Sequence, residues 1–115
     1  MRKIVLLVLI CAFIAVCTDV YAHPPSDIKI EYSRESRMMT VIVTHPVNNP
    51  EKHFINKIEV LLNGKEIIEH KISKQDNEKY QFSGYMVTDA KPGDVITVEA
   101  YCSVSGKLRK EIKVK

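Results

Sequence analysis

Short runs in which apolar and polar residues alternate follow one another along most of this chain, and turn residues separate them at intervals of about ten residues. This pattern is typical of a β-sandwich or barrel rather than of a helical protein. It predicts about seven strands, with residues 65–72 as the fourth. The apolar positions of the others are Ile28, Ile30 and Tyr32; Met39, Val41 and Val43; Phe54, Ile58, Val60 and Leu62; Tyr80 and Phe82; Ile96, Val98, Ala100 and Cys102; and Leu108, Ile112 and Val114.

Three turn signals separate these runs most clearly. Pro46 ends the second strand, because proline has no amide hydrogen for strand pairing. Asn63-Gly64 has the composition of a two-residue hairpin turn, and residues 91–94 (Lys-Pro-Gly-Asp) have that of a tight turn. We therefore expect an all-β domain with the architecture of an immunoglobulin-like antiparallel β-sandwich of about seven strands.

The first 22 residues have the features of a signal peptide. Arg2 and Lys3 precede an apolar run, residues 4–16, which is shorter than the roughly 20 residues that a transmembrane helix needs. Cleavage after Ala22 would leave residues 23–115 as one domain that begins with His23. We expect the protein to be exported, to the periplasm or as a secreted protein, without stable membrane insertion after cleavage.

Removal of this segment changes the cysteine content and the charge. Cys11 and Cys17 leave with it, so Cys102 is the one remaining thiol and no internal disulfide can form. The loss of two basic residues and one acidic residue lowers the formal net charge from +3 to +2. The basic residues are scattered among acidic ones instead of lying along one face, so we expect no nucleic-acid binding.

Three histidines and the remaining thiol fall at predicted strand ends or in loops, where they can meet at one rim of a sandwich. They are His23, His45, His53 and Cys102. Imidazole nitrogens and a thiolate are suitable ligands for iron, copper or zinc. Cys102 also follows Ile96, Val98 and Ala100 on the inward-facing side of its predicted strand, so the pattern equally allows a buried, inert thiol. His70, flanked by charged residues, is interpreted as a solvated side chain.

Several short motifs, in this order, resemble the iron domain of the superoxide reductase and desulfoferrodoxin family. They are His45-Pro46, His53-Phe54-Ile55, Ile58-Glu59, Asn63-Gly64 and Tyr101-Cys102-Ser103 with Gly106. The resemblance implies a mononuclear non-haem iron ion with four equatorial histidines, an axial cysteine and an open position where superoxide is reduced to peroxide. His45 and His53 would be equatorial ligands and Cys102 the axial one, with His23 available for an upstream position. Ser105 stands where the family has a further histidine.

These observations lead to one main hypothesis and two alternatives. The main one is an exported superoxide-reductase-like domain that binds a metal ion, with iron first, and uses superoxide as its small-molecule oxidant. Ser105 leaves open whether the site supports enzymatic activity. The second is a copper- or zinc-binding protein built on the freed amino group and imidazole of His23. The third is a non-enzymatic module that recognises an envelope protein through Tyr80, Phe82 and Tyr85 or through an exposed sheet edge. The sequence predicts no particular oligomeric state.

Overall fold

A computed structural model describes residues 23–115, and the predicted signal peptide lies outside this part of the chain. Residues 23–115 contain no helix long and apolar enough to cross a membrane. They form seven strands: β1 (Asp27–Ser33), β2 (Met38–Thr44), β3 (Ile55–Leu62), β4 (Lys65–Lys71), β5 (Tyr80–Met86), β6 (Val95–Cys102) and β7 (Lys107–Lys113).

The strands make two antiparallel sheets, which confirms the predicted all-β sandwich. One sheet has the order β1-β2-β5 and the other β4-β3-β6-β7. In constant-type immunoglobulin domains the fourth strand belongs to the first sheet. Here β4 pairs with β3, because the tight turn at Asn63-Gly64 folds it directly back onto that strand. Both turn residues have positive φ, 50° and 83°, as a two-residue hairpin of this kind requires.

The core lies between the sheets and is formed by the inward-facing residue of each alternating pair. β6, in the middle of the larger sheet, is buried along most of its length. The fully buried side chains of the core include Ile28, Met39, Val41, Val43, Ile55, Ile58, Val60, Ile96, Val98 and Ala100.

Two strands differ in detail from the sequence prediction. β3 begins at Ile55, so Phe54 lies just before the strand instead of on its apolar face. In β5, Tyr80 and Phe82 face outward and are 40% and 46% exposed, whereas Tyr85 points into the core. Apolar residues occur on both faces of β5, so alternation alone does not determine which face is buried.

Candidate metal centre

The four candidate ligands come together at one end of the sandwich, although they are far apart in the sequence. β1 starts beside the end of β2, which places His23, before β1, near His45, after β2. β3 starts beside the end of β6, which places His53, before β3, near Cys102, the last residue of β6. Each sheet therefore supplies two of the four side chains.

The three imidazole rings form a compact triangle. The ring centroids of His23 and His45 are 4.8 Å apart, those of His23 and His53 are 5.0 Å apart, and those of His45 and His53 are 4.8 Å apart. Each ring offers a nitrogen that lies within 4.8 Å of the other two. Imidazole nitrogens at this spacing can reach a single metal ion after small side-chain adjustments.

Cys102 lies beside this triangle. Its Sγ is 3.1 Å from Nε2 of His53, and the main-chain N–H of Val104 donates to the same sulfur at 3.5 Å. The side chain is 8% exposed, so it is buried, but it lies at the rim and contacts the histidine cluster. The sequence left two orientations open, and the structure places the thiol at the rim, in contact with His53.

His45 is fully buried and its ring is held by Gln75, a residue of the loop between β4 and β5. Nδ1 of His45 is 2.8 Å from Oε1 of Gln75, which also accepts a hydrogen bond from the main-chain N–H of Ile55 at 3.2 Å. An amide oxygen can only accept hydrogen bonds, so Nδ1 of His45 carries the hydrogen. In the neutral ring, Nε2 then presents a lone pair.

That lone pair faces another acceptor. Nε2 of His45 is 3.2 Å from the main-chain oxygen of His23. Two acceptors at this distance repel each other unless a proton or a cation lies between them, and this contact is partly buried. A bound metal ion, or a proton on Nε2, would satisfy this pair.

His53 follows a loop that turns back on itself. The main-chain N–H groups of Lys52 and His53 both donate to the carbonyl oxygen of Asn49, and Val47 is buried beneath the loop. Burial, together with the charges that His45 and His23 carry when protonated, lowers the pKa of His53 below its ordinary value. His53 is thus kept in the neutral form that binds metal ions.

His23 is held near the cluster by the turn between β6 and β7. Gly106 in this turn has φ +83°, and a Cβ atom placed there would lie 2.9 Å from Cβ of Pro24. Nδ1 of His23 is 3.1 Å from the carbonyl oxygen of Pro24, which can only accept, so Nδ1 donates. Nε2 of His23 is then the ring nitrogen left free to bind an ion.

An open cleft of about 520 Å³ leads to the cluster from solvent. His23 and His53 form part of its wall, and Glu78 and Lys79 bring one negative and one positive side chain to its rim. The other lining residues are Pro46, Val47, Asn48 and Asn49. A small molecule or ion can therefore approach two of the three histidines directly.

Other residues singled out in the sequence lie elsewhere. Ser105 is exposed in the turn after β6 and is not part of the cluster that the described residues form. The interpretation of His70 as a solvated side chain is wrong: it is partly buried, and its Nδ1 lies 2.7 Å from the hydroxyl of Tyr85. That contact joins β4 to β5 across one side of the sandwich, and Tyr85 is therefore unavailable for recognising a partner.

Sequence reasoning missed Gln75. A glutamine in a polar loop takes no part in the alternation of apolar and polar residues, and it belongs to no metal-ligand motif.

Comparisons with known proteins show similarity in fold. No protein family matches the sequence, and no curated protein is similar to it. A solved structure of a hypothetical protein from Pyrococcus horikoshii OT3 aligns with 84% of this chain and 92% of its own, with a TM-score of 0.53 and 18% sequence identity. Two structures of superoxide reductase (neelaredoxin) from Ignicoccus hospitalis are 23% identical, with TM-scores of 0.48 and 0.49. They align with 80% and 79% of this chain and with 82% of their own. At these identities the likeness concerns the fold alone.

Proposed function

We propose that this domain binds one transition-metal ion through His23, His45, His53 and Cys102, and that the ion is iron. The observation that carries the proposal is that three imidazoles from separate points of the chain meet on one rim of the sandwich, with Cys102 in contact with one of them, His53. Three imidazoles and a thiolate form a donor set suited to iron, copper and zinc.

The choice of iron among these metals rests on the resemblance of the sequence motifs to superoxide reductases. His53 Nε2 and Cys102 Sγ lie at hydrogen-bond distance, 3.1 Å apart, so this imidazole and this thiol are the two donors already in contact.

We further propose that the site reduces superoxide, as the resemblance of the sequence motifs to superoxide reductases implies. Reduction of superoxide to hydrogen peroxide takes one electron and two protons, and a bound ferrous ion would supply the electron. Four protein side chains leave room for a small ligand, because Ser105 is exposed and contributes none. In the cleft, the positive charge of Lys79 favours approach of an anion, while Glu78 opposes it.

Cys102 is the residue through which the chain would set the reactivity of the ion. A thiolate ligand donates electron density to iron and thereby tunes its potential. Burial of the sulfur and the hydrogen bond from the main-chain N–H of Val104 further adjust that donation. We expect this activity outside the cytoplasm, because residues 1–22 have the features of a signal peptide.

The test is anaerobic loading of residues 23–115 with ferrous iron, followed by metal analysis and absorption spectroscopy after mild oxidation. We expect one iron per chain and a thiolate-to-ferric charge-transfer band that is absent in Cys102→Ala. His70→Gln changes a histidine outside the cluster, so this variant should keep both the bound iron and the charge-transfer band. Superoxide decay measured by stopped flow then decides the redox role. Loss of the iron on desalting, together with the absence of the charge-transfer band, would contradict the proposal.

Copper binding by a freed amino terminus is less consistent with this geometry. An amine and imidazole of the same histidine chelate a metal most readily through Nδ1, and in His23 that nitrogen donates to the carbonyl oxygen of Pro24. Chelation would require this hydrogen bond to break. Acetylation of the terminus, which blocks such a chelate, should therefore leave iron binding unchanged.

A further inference from the structure

We propose that Gln75 is a positioning residue of the metal centre, which fixes the tautomer and the ring plane of His45 so that Nε2 is the atom offered to the ion. The inference rests on the proposed metal-binding function, but its central claim concerns the metal-free protein and can be tested there.

The side-chain amide of Gln75 has only one consistent orientation. Its Nε2 donates to the main-chain oxygens of His45, at 2.8 Å, and Asn77, at 2.9 Å. Its Oε1 accepts from the main-chain N–H of Ile55. Rotating the amide by 180° would place two acceptors against its oxygen and a donor against its nitrogen, at a site only 2% exposed to solvent. Each such mismatch costs about 1–3 kcal/mol, so the alternative is strongly disfavoured.

With this orientation fixed, the tautomer of His45 follows. Oε1 of Gln75 is an obligatory acceptor 2.8 Å from Nδ1 of His45, so the neutral ring carries its hydrogen on Nδ1 and leaves Nε2 free. Gln75 binds both the ring and the main-chain oxygen of the same residue. It therefore restrains the rotation of the side chain as well as its protonation pattern.

Gln75 also forms hydrogen bonds to the chain segments before and after His53, a second candidate ligand. Its own main-chain N–H donates to the carbonyl oxygen of Pro50, in the loop that leads to His53. Its Oε1 holds the amide of Ile55, two residues beyond His53. A single buried side chain thus ties His45 from the smaller sheet to the segment that carries His53. Residues of this kind, which orient the ligands without binding the ion, commonly change metal affinity by roughly 10- to 100-fold.

The first measurement is the tautomer of His45 in the metal-free protein, by long-range ¹H–¹⁵N NMR at a pH where the ring is neutral. We expect the hydrogen on Nδ1 in the wild type and a mixture of tautomers in Gln75→Leu. The wild-type tautomer tests the inference by itself if the leucine variant does not fold. Hydrogen on Nε2 in the wild type would overturn the inference.

The second measurement is ferrous-ion affinity by competition with a chelator, with the charge-transfer band of the oxidised form recorded alongside. Gln75→Leu should bind roughly 10- to 100-fold more weakly. The matched control is Gln81→Leu, since Gln81 is also a buried glutamine, and it accepts from Asp76 in the same loop without touching His45. Equal affinity in Gln75→Leu and the wild type would overturn the inference. A wild type that binds no iron would instead overturn the proposed function, and the tautomer would still test the role of Gln75.

Discussion

At the scale of single residues, the candidate site depends on keeping histidines neutral and close together. Burial lowers the pKa of His53, and the charges that His45 and His23 carry when protonated lower it further. The folded protein thus disfavours protonation of a side chain that the unfolded chain protonates normally. This has a consequence for stability that does not require a metal ion.

We predict that the free energy of unfolding of the metal-free protein falls as the pH drops below about 6.5, the ordinary pKa of histidine. The unfolded chain takes up a proton on His53 at a higher pH than the folded chain does, so acid favours unfolding. Above that pH, His53 is neutral in both the folded and the unfolded chain, so its protonation no longer lowers the free energy of unfolding. Urea unfolding between about pH 5 and pH 8 should show a shallower decline for His53→Gln than for the wild type. Equal declines in the two proteins would contradict this account.

The residue scale also marks the limit of the sequence analysis. His23, His45, His53 and Cys102 were all chosen from the sequence, because their residue types are metal ligands and strand ends meet at a rim. Gln75 and the partner of His70 were not found, because a hydrogen bond between side chains on different strands leaves no pattern in the sequence.

At the scale of elements, one strand pairing follows from the sequence, but the orientation of every strand does not. The Asn63-Gly64 turn placed β4 beside β3. Strict alternation determined the buried face of β2, whereas β6 is buried on both faces, including Thr97 and Glu99. In β5 the apolar residues Phe82 and Tyr85 lie on opposite faces. Which of them is buried depends on contact with the other sheet, and a local pattern does not contain that information.

The turn between β6 and β7 gives a prediction at this scale. Gly106 and Gly64 have the same φ, +83°, but a Cβ atom would clash with Pro24 at Gly106 and would meet no atom within 4 Å at Gly64. Alanine at either position should therefore lose about 1–2 kcal/mol of stability from the left-handed backbone. Only Gly106→Ala should also displace the segment that carries His23 and weaken metal binding.

The measurement is iron affinity of the two variants under conditions where both remain folded, as judged by circular dichroism. Gly64→Ala serves as the control for backbone strain alone. If both variants bound iron as tightly as the wild type, the contact between Gly106 and Pro24 would have no part in positioning His23.

At the scale of the whole molecule, the candidate ligands connect the two sheets. His23 and His45 flank strands of the smaller sheet, and His53 and Cys102 belong to the larger one. A single ion bound to all four would act as a cross-link between the halves of the sandwich. The ion would bind the folded chain much better than the unfolded one, because the unfolded chain does not bring the four side chains together.

We therefore predict that ferrous iron under anaerobic conditions raises the free energy of unfolding, by about 2.7 kcal/mol when free metal is 100 times its Kd. Chemical unfolding of the wild type with and without iron measures this. Cys102→Ala should show a smaller gain and His70→Gln the full gain. An iron-independent unfolding curve for the wild type would contradict the cross-link.

The position of Cys102 at the end of the sixth of seven strands has a consequence for how the protein matures. A chain that is synthesised from its amino terminus exposes His23, His45 and His53 early, but the sulfur arrives only when nearly the whole domain has been made. The donor set is complete only after β3 and β6 have paired, a contact between residues distant in the sequence and hence a slow one to form. If the proposed centre forms, metal uptake at full affinity follows this pairing, and an occupied centre would mark a chain whose folding is finished.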